Sequence, residues 1–417
     1  MNKQILLYIL LFISIKSFAQ SDLNTYFMPT LLQKNLMNPA LVEDKKWVIG
    51  SDVSQGFYNT FGGIKTANNH IVFDHPNATE SFFRNINWSI LNATLRLREN
   101  TFIGVSNTLR RLDFASVSGE GGQLFIHGNA PFIGKTVAIN PDVQLLRFND
   151  FGISLTQKFD KLKIAARVKI LSGINAVSTG NKDFSLKTDK DVYQLTLKTN
   201  YELFTAPSRS VYNLINGSGV LVTNVQGKGI GFDLGAAYDV NEKISVSAAI
   251  IDLGSIKWNG SSNTSIGENT YRGVDATKLF TGDKSFKVAV NSDTLLAQLK
   301  FKTVENITFK TDIPTAFNLS GTYKINEKLS SAVLLSSTSF RGKRYNSLLI
   351  NAQYQLIPLI NVGLSYGLRN SYSMLGANIA LNKGIFQVFA LSDNILGLAR
   401  PVKSANANGR VGINLRF

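Results

Sequence analysis

The chain has 417 residues, 44 Lys and Arg against 28 Asp and Glu, a formal net charge of +16 and no Cys. The missing Cys excludes disulfides and thiolate metal centres, and beyond the N-terminus no run reaches the roughly 18 apolar residues of a membrane-spanning helix. The basic residues are scattered, with no recognised motif around them, which argues against nucleic acid as a partner.

The N-terminus comes first. Lys3 precedes an apolar run from Ile5 to Ile15, and Ser17-Phe18-Ala19 precedes Gln20. A basic start, a short apolar core and a small-x-small site make residues 1–19 a secretory signal peptide, cleaved after Ala19. Its removal takes Lys3 and Lys16 and leaves 42 basic against 28 acidic residues. A basic exported protein meets anionic surfaces or solutes. Residues 20–46 mix polar positions with Met28, Leu31, Leu32, Leu36, Met37 and Leu41. They read either as a plug or hatch entering a lumen or as a periplasmic tail.

From residue 47 onward, alternating segments of about ten residues recur. In "FGISLTQKF", Phe151, Ile153, Leu155 and Phe159 share one face and Gly152, Ser154, Thr156 and Lys158 the other. "KIAARVKI" sets Ile164, Ala166, Val168 and Ile170 against Ala165, Arg167 and Lys169. "YQLTLKTNYEL" sets Leu195, Leu197, Tyr201 and Leu203 against Lys198 and its polar neighbours. "INVGLSYGLR" sets Ile360, Val362, Leu364, Tyr366 and Leu368 against Gly363, Ser365, Gly367 and Arg369. The last stretch, "NGRVGINLRF", sets Val411, Ile413, Leu415 and Phe417 against Arg410, Gly412, Asn414 and Arg416.

The reading gives sixteen strands: 47–54, 88–98, 101–113, 147–159, 163–172, 183–189, 192–204, 229–240, 243–256, 313–325, 328–340, 346–356, 360–370, 374–382, 385–394 and 408–417. Tight turns at Glu99-Asn100, Asp160-Lys161, Asn241-Glu242 and Asn326-Glu327 alternate with long loops at about 55–86, 115–146, 205–228 and 257–312. A helix is expected near 122–134. "GFDLGAAYDVNEKISVSAAI" (231–250) and "AFNLSGTYKINEKLSSAVLL" (316–335) align without gaps as equivalent hairpins. Short turns alternating with long loops are the habit of outer-membrane barrels, with the short turns and both termini in the periplasm.

The fold class expected for residues 47–417 is therefore an all-β transmembrane antiparallel barrel of 14–16 strands, with the N-terminal segment as a plug-like element. Closure satisfies every backbone group without a free edge, as a bilayer demands. The inward faces carry the basic residues Arg96, Arg98, Lys158, Arg167, Lys169, Lys198, Lys324, Arg369, Arg410 and Arg416. A soluble core would not tolerate these cations facing few acids, whereas a watery lumen would. Trp258, Tyr238, Tyr323 and Tyr354 are candidates for interfacial aromatic girdles.

With "NLMNPAL" (35–41), "GNAPFIGK" (128–135), "GIGFDLGAAYDVNEKISVSAAIIDLGSIKW" (229–258), "FALSDNILGL" (389–398) and the final "NGRVGINLRF", the chain resembles an uncharacterised family of FadL-like outer-membrane barrels of the Bacteroidota. The resemblance spans nearly the whole mature chain and implies an outer-membrane location and a barrel for which fourteen strands are typical. It implies no established activity. Similar barrels include transporters of hydrophobic compounds and accessory proteins of type IX secretion. Phe417 looks like the terminal aromatic that barrel-assembly machinery reads.

Chemistry finds little support. His70, His75 and His127 lie in expected loops without a metal or triad motif. "GKGIGFDLG" (227–235) opens no helix and is no phosphate loop, and "TDKD" (188–191) lacks the remaining positions of a calcium loop. Asp252 and Asp393-Asn394 fit turn caps near strand ends or contacts to a substrate. No catalytic residue, cofactor or metal is expected, and the chain reads as a non-enzyme. The function expected is passage or binding of small hydrophobic, amphipathic or anionic solutes. The alternative is a plugged barrel that serves as scaffold or accessory component of a secretion or surface-assembly complex. The expected partners are outer-membrane lipid, the assembly machinery and a secretion or surface protein.

Overall fold

A computed structural model describes residues 23–59, 64–67, 70–73, 80–191, 194–209, 224–271, 300–370, 372–401 and 404–417. The predicted signal peptide, residues 20–22 of the N-terminal segment, His75 and the side chain of His70 lie outside the described residues.

The strands, in chain order, begin with β1 (Trp47–Asn59), the small pair β2 (Ile64–Ala67) and β3 (His70–Phe73), and β4 (Glu80–Arg98). Next come β5 (Thr101–Val117), β6 (Thr136–Ala138), β7 (Asp142–Phe159), β8 (Leu162–Thr188), β9 (Leu195–Ala206) and β10 (Gly227–Asp239). Then follow β11 (Ile244–Tyr271), β12 (Lys302–Asp312), β13 (Thr315–Lys324), β14 (Leu329–Phe340) and β15 (Lys343–Ile357). The last are β16 (Ile360–Arg369), β17 (Tyr372–Lys383), β18 (Phe386–Ser392) and β19 (Asn406–Arg416).

Fourteen of these close into one antiparallel ring, β1-β4-β5-β7-β8-β10-β11-β13-β14-β15-β16-β17-β18-β19, and β19 pairs back onto β1 along Val48↔Arg416 to Tyr58↔Asn406. The even count puts both ends of the ring on one side, together with every tight turn named above. The expected range of fourteen to sixteen resolves to fourteen for a physical reason. The predicted strand 183–189 is the far end of β8, which runs unbroken from Leu162 to Thr188. The predicted strand 192–204 is β9, which lies outside the ring. Beyond the end of β10 at Gly227, β9 takes its place between the long arms β8 and β11, with Thr179↔Leu203 on one side and Asn263↔Leu203 on the other. With β12 beside β11, these arms carry the wall past the ring on the long-loop side.

The surface is apolar where a soluble protein would be polar. Ile153, Leu155, Val168, Ile170, Leu364, Tyr366, Val411 and Ile413 are all exposed, while Ser154, Thr156, Arg167, Lys169, Ser365, Arg369 and Asn414 between them are buried. Every ring strand except β18, with 7 residues, has 10 or more, which matches the roughly 9–11 needed to cross a bilayer tilted. Tyr238, Tyr323 and Tyr354 are exposed at the short-turn end. Trp258 is not among them: it is wholly buried. The expected helix near 122–134 forms at Gly119–His127, where the Ser118 hydroxyl accepts from the Gly121 N–H at 2.9 Å as N-cap.

Residues 23–41 lie against inward-facing side chains of the ring. Leu23, Tyr26, Phe27 and Met37 pack on the inward side chains Leu334, Leu349 and Met374, and Met28 and Leu31 on Ala380, Phe389 and Leu391. The apolar side of the segment thus rests on β14–β18.

Candidate functional site

One local irregularity in β11 decides what the interior contains. Up to Ile250 the even residues of this strand face outward, and strict alternation would carry Trp258 outward as well. The ladder to β10 slips between Phe232↔Leu253 and Leu234↔Ile250, so two residues oppose Asp233 alone. This is a β-bulge, and Asp252 within it takes a positive φ of 62°. After the bulge the faces exchange: Leu253 and Lys257 point out, Ile256 and Trp258 point in. The exchange is the reason Trp258 leaves the expected girdle. Its indole N–H donates to the Thr311 hydroxyl at 2.8 Å, and its ring occupies the room left by Gly227, where a Cβ would stand 2.7 Å from Cε3.

The same bulge turns the Asp252 carboxylate into the lumen, in the middle of β11 rather than at a strand end as expected. There it joins a cluster on five consecutive strands. Arg110 on β5 meets Asp252 at 2.9 Å and Asp150 on β7 at 3.3 Å. Lys169 on β8 meets Asp233 on β10 at 2.9 Å and Asp252 at 2.5 Å. Arg167 meets Asp233 at 3.1 Å, with side chains 2% and 0% exposed. Three cations face three carboxylates, so the cluster is neutral as a whole. A cavity of about 120 Å³ lies against it, lined also by Asn85, Asn87, Ser106 and Thr108. Leu36, Met37 and Ile251 close its apolar side, and its volume has room for a few waters. Arg167 also donates to the backbone carbonyl of Asn35 at 2.8 Å, which ties the cluster to the inner segment.

Above the cluster, toward the long loops, the inward side chains turn apolar. Leu112, Phe114, Leu146, Phe148, Ile256, Trp258, Phe340 and Tyr345 form one buried layer. The Arg110 guanidinium sits 5.3 Å over the Phe148 ring, where the two layers meet. Over that layer opens a mouth of about 790 Å³, where Arg341 of the β14–β15 turn reaches across to Asp142 on β7 and Lys182 reaches the same carboxylate at 3.4 Å.

The other basic residues named from the sequence are placed as follows. Arg410 faces inward and meets Asp52 at 2.7 Å, and Arg369 faces inward 3.7 Å from Asp393. Asp393 is no turn cap at the rim. It is buried and accepts from the backbone N–H groups of Leu23 and Asn24 at 2.9 and 2.7 Å. Arg416 is nearly buried against Glu43, with Nε 3.0 Å from both oxygens. Arg96 meets Asp44 at 2.5 Å at the short-turn rim. Lys158 is half-buried at that rim, and Arg98 and Lys324 are exposed at its turns. Lys198 is a correction: it lies on the exposed face of β9, with Leu197 and Tyr201 buried. In the arms that overhang the ring the outer face meets water, so the usual polar-out pattern returns.

The expected surplus of cations over acids inside the ring does not hold either, because Asp52, Asp150, Asp233, Asp252 and Asp393 stand beside them. Arg110 and these acids were missed as lumen charges. For Arg110, Asp52, Asp150 and Asp233 the signal is in the sequence: each is a charged residue on the polar face of an alternating run, as Asp233 is between Gly231 and Gly235 in "GFDLG", whereas Asp252 falls on the apolar face by strict alternation. Among the described residues no group of three or more His, Asp or Glu is arranged to hold a metal.

Solved structures with a similar architecture include a Pseudomonas aeruginosa FadL homologue, at 10% identity over 95% of this chain and 98% of that chain with a TM-score of 0.45. The Ralstonia pickettii toluene transporter TbuX is similar at 12% identity over 94% of each chain, with a TM-score of 0.43. The translocator domain of the autotransporter NalP from Neisseria meningitidis is similar at 10% identity over 92% and 93%, with a TM-score of 0.39. No curated protein matches the sequence. A family model described as "Family of unknown function (DUF5723)" matches residues 39–393.

Proposed function

The chain belongs to this family of unknown function, and from its closed barrel we propose a gated passage of the outer membrane for small amphipathic or anionic solutes, with residues 23–44 as the movable plug. The observation that carries this reading is how the segment meets the wall opposite its apolar seat. There it holds on through single polar contacts: Arg167 to the Asn35 carbonyl at 2.8 Å, Asn35 with Asn92 at 3.0 and 3.2 Å, and the Thr156 hydroxyl to the Pro39 carbonyl at 2.9 Å. Each such bond is worth about 0.5–1.5 kcal/mol net, more at the guanidinium, and water replaces it readily. The apolar contacts to β14–β18 hold one side while the other side is free to part. The passage so opened runs along the charge cluster, and paired charges there favour solutes with a polar head over bare hydrocarbons.

The lipid-facing belt supports an outer-membrane location, with bilayer lipid as the first partner and the assembly machinery, reading Phe417, as the second. A cysteine-free chain permits a direct test. A Cβ at Gly235 would stand 3.1 Å from Cγ of Asn38, so the pair Asn38→Cys and Gly235→Cys is within reach of a disulfide. In planar bilayers the reduced double variant should conduct or leak solute as the parent does, the oxidised one should be silent, and reductant should restore it. Equal conductance in both redox states, or none in the parent and in a variant lacking residues 23–41, sinks the reading.

A second reading is a scaffold for a secretion or surface protein. The overhanging arms β8, β9, β11 and β12 favour it, because they present a long polar sheet outside the bilayer. Purification of the native protein from outer membranes, alone or with a bound protein, separates the two.

A further inference from the structure

At the short-turn end a second cavity, of about 200 Å³, lies between the inner segment and the wall of β8, β10, β11 and β13. Its lining combines polar and charged side chains with the apolar Leu31, Leu41 and Val42 of the segment. Lys34 comes from the segment, Lys163 from β8, and Ser245, Ser247, Ser320 and Thr322 from β11 and β13. Among the described residues neither lysine ammonium has an ion pair or side-chain hydrogen bond. Glu43, the acid nearest Lys34 along the segment, is occupied by the bidentate Arg416 at 3.0 Å. Asp239 stands exposed at the rim of the lining. That leaves two lysines facing one free carboxylate in a partly closed space.

The third observation is an orphan donor. Tyr26 is 4% exposed, lines this cavity, and its hydroxyl has no hydrogen-bond partner. A buried hydroxyl without a partner is costly, and a ligand that accepts from it relieves that cost. Ser247 and Ser320 face each other at 2.8 Å. One of them donates to the other, so the second keeps a proton free to donate outward. Two ammonium groups and two hydroxyl donors thus converge with few acceptors among them.

We propose that this cavity is an anion site for a phosphate group, presented to the periplasmic side of the barrel by the folded-in segment. Its four donors suit a tetrahedral oxyanion, and its volume admits a head group of glycerol-phosphate size. A phospholipid head group and free or small-molecule phosphate share that chemistry. The site does not depend on the passage proposed above, since it needs the segment docked rather than displaced.

The electrostatics of Lys34 supply a signature. Burial holds its ammonium below the usual lysine range, at about 8, with Lys163 pushing in the same direction and Glu43 opposing. Burial pushes the Tyr26 hydroxyl up, which keeps it protonated as a donor. Anion binding needs Lys34 charged. Affinity is therefore full below about pH 8 and falls as the pH rises through it.

The test uses the full barrel in detergent, titrated calorimetrically with inorganic phosphate and with glycerol 3-phosphate at pH 7. The parent should bind, and Lys34→Gln with Lys163→Gln should weaken binding by at least about tenfold. Lys34→Arg should bind at pH 7 and lose the decline above pH 8, which a merely structural lysine would not alter. Phosphatidylglycerol retained through purification by the parent and not by the double variant identifies a lipid head group as the source. Binding of the soluble phosphates without retained lipid identifies a free phosphate. Equal affinity in parent and double variant, or no binding of either phosphate and no retained lipid, overturns the proposal.

Discussion

Lys169 shows what the interior asks of one residue. Its ammonium is within 4 Å of three carboxylates, those of Asp150, Asp233 and Asp252. Removing it strands buried negative charge that Arg110 and Arg167 cannot both cover. Lys169→Met should destabilise the folded barrel by about 3–5 kcal/mol, the range for breaking a buried pair. Urea unfolding in lipid vesicles, followed by the heat-modifiable gel mobility of the barrel, reads this. An unchanged midpoint would mean that the cluster is solvated. At this scale the inward cations Arg167, Lys169, Arg369 and Arg410 were legible from alternation alone. Their partners were less so, because a one-residue bulge changes the face of everything beyond it, and nothing in "IIDLGSIKW" announces one.

At the scale of the element, the final strand closes the ring. Phe417 donates its N–H to the Trp47 carbonyl at 2.9 Å and stacks on the Trp47 ring with centroids 3.8 Å apart. First and last strand therefore meet through an aromatic pair at the short-turn rim. Phe417→Asp should cut outer-membrane assembly several-fold, read as loss of the heat-modifiable form in membrane fractions. Normal insertion of the variant would count against a role for this residue in closure or recognition. The strand count marks where sequence reading stops at this scale. "KIAARVKI" and "DFSLK" look like two strands, yet both belong to β8. The arm leaves the bilayer between them, so its outer face changes from apolar to polar without any break in the backbone.

For the whole molecule the distribution of tryptophan offers a test. Trp88 is 51% exposed at mid-strand in the apolar belt and Trp258 is fully buried inside the ring. In vesicles of brominated phosphatidylcholine, Trp88→Phe should remove most of the fluorescence quenching and Trp258→Phe almost none. The reverse would invert the two faces. The same arrangement explains the chain's near-zero mean hydropathy of +0.02: the apolar residues that would fill a core are spread over the outside, and the polar ones are gathered within.

The sequence by itself determined the all-β class, the alternating faces, the one-sided tight turns and the apolar terminal strand, because these depend on local backbone geometry with period two. Only the tertiary structure decided that the ring holds fourteen strands, that Arg110, Arg167, Lys169, Arg369 and Arg410 meet carboxylates, and that residues 23–41 pack on inward side chains. Closure and pairing join residues more than a hundred positions apart, as Arg410 with Asp52 and Asp393 with Leu23. No local pattern carries such partners, since they follow from the bulge, the overhanging arms and the curvature that brings distant strands together.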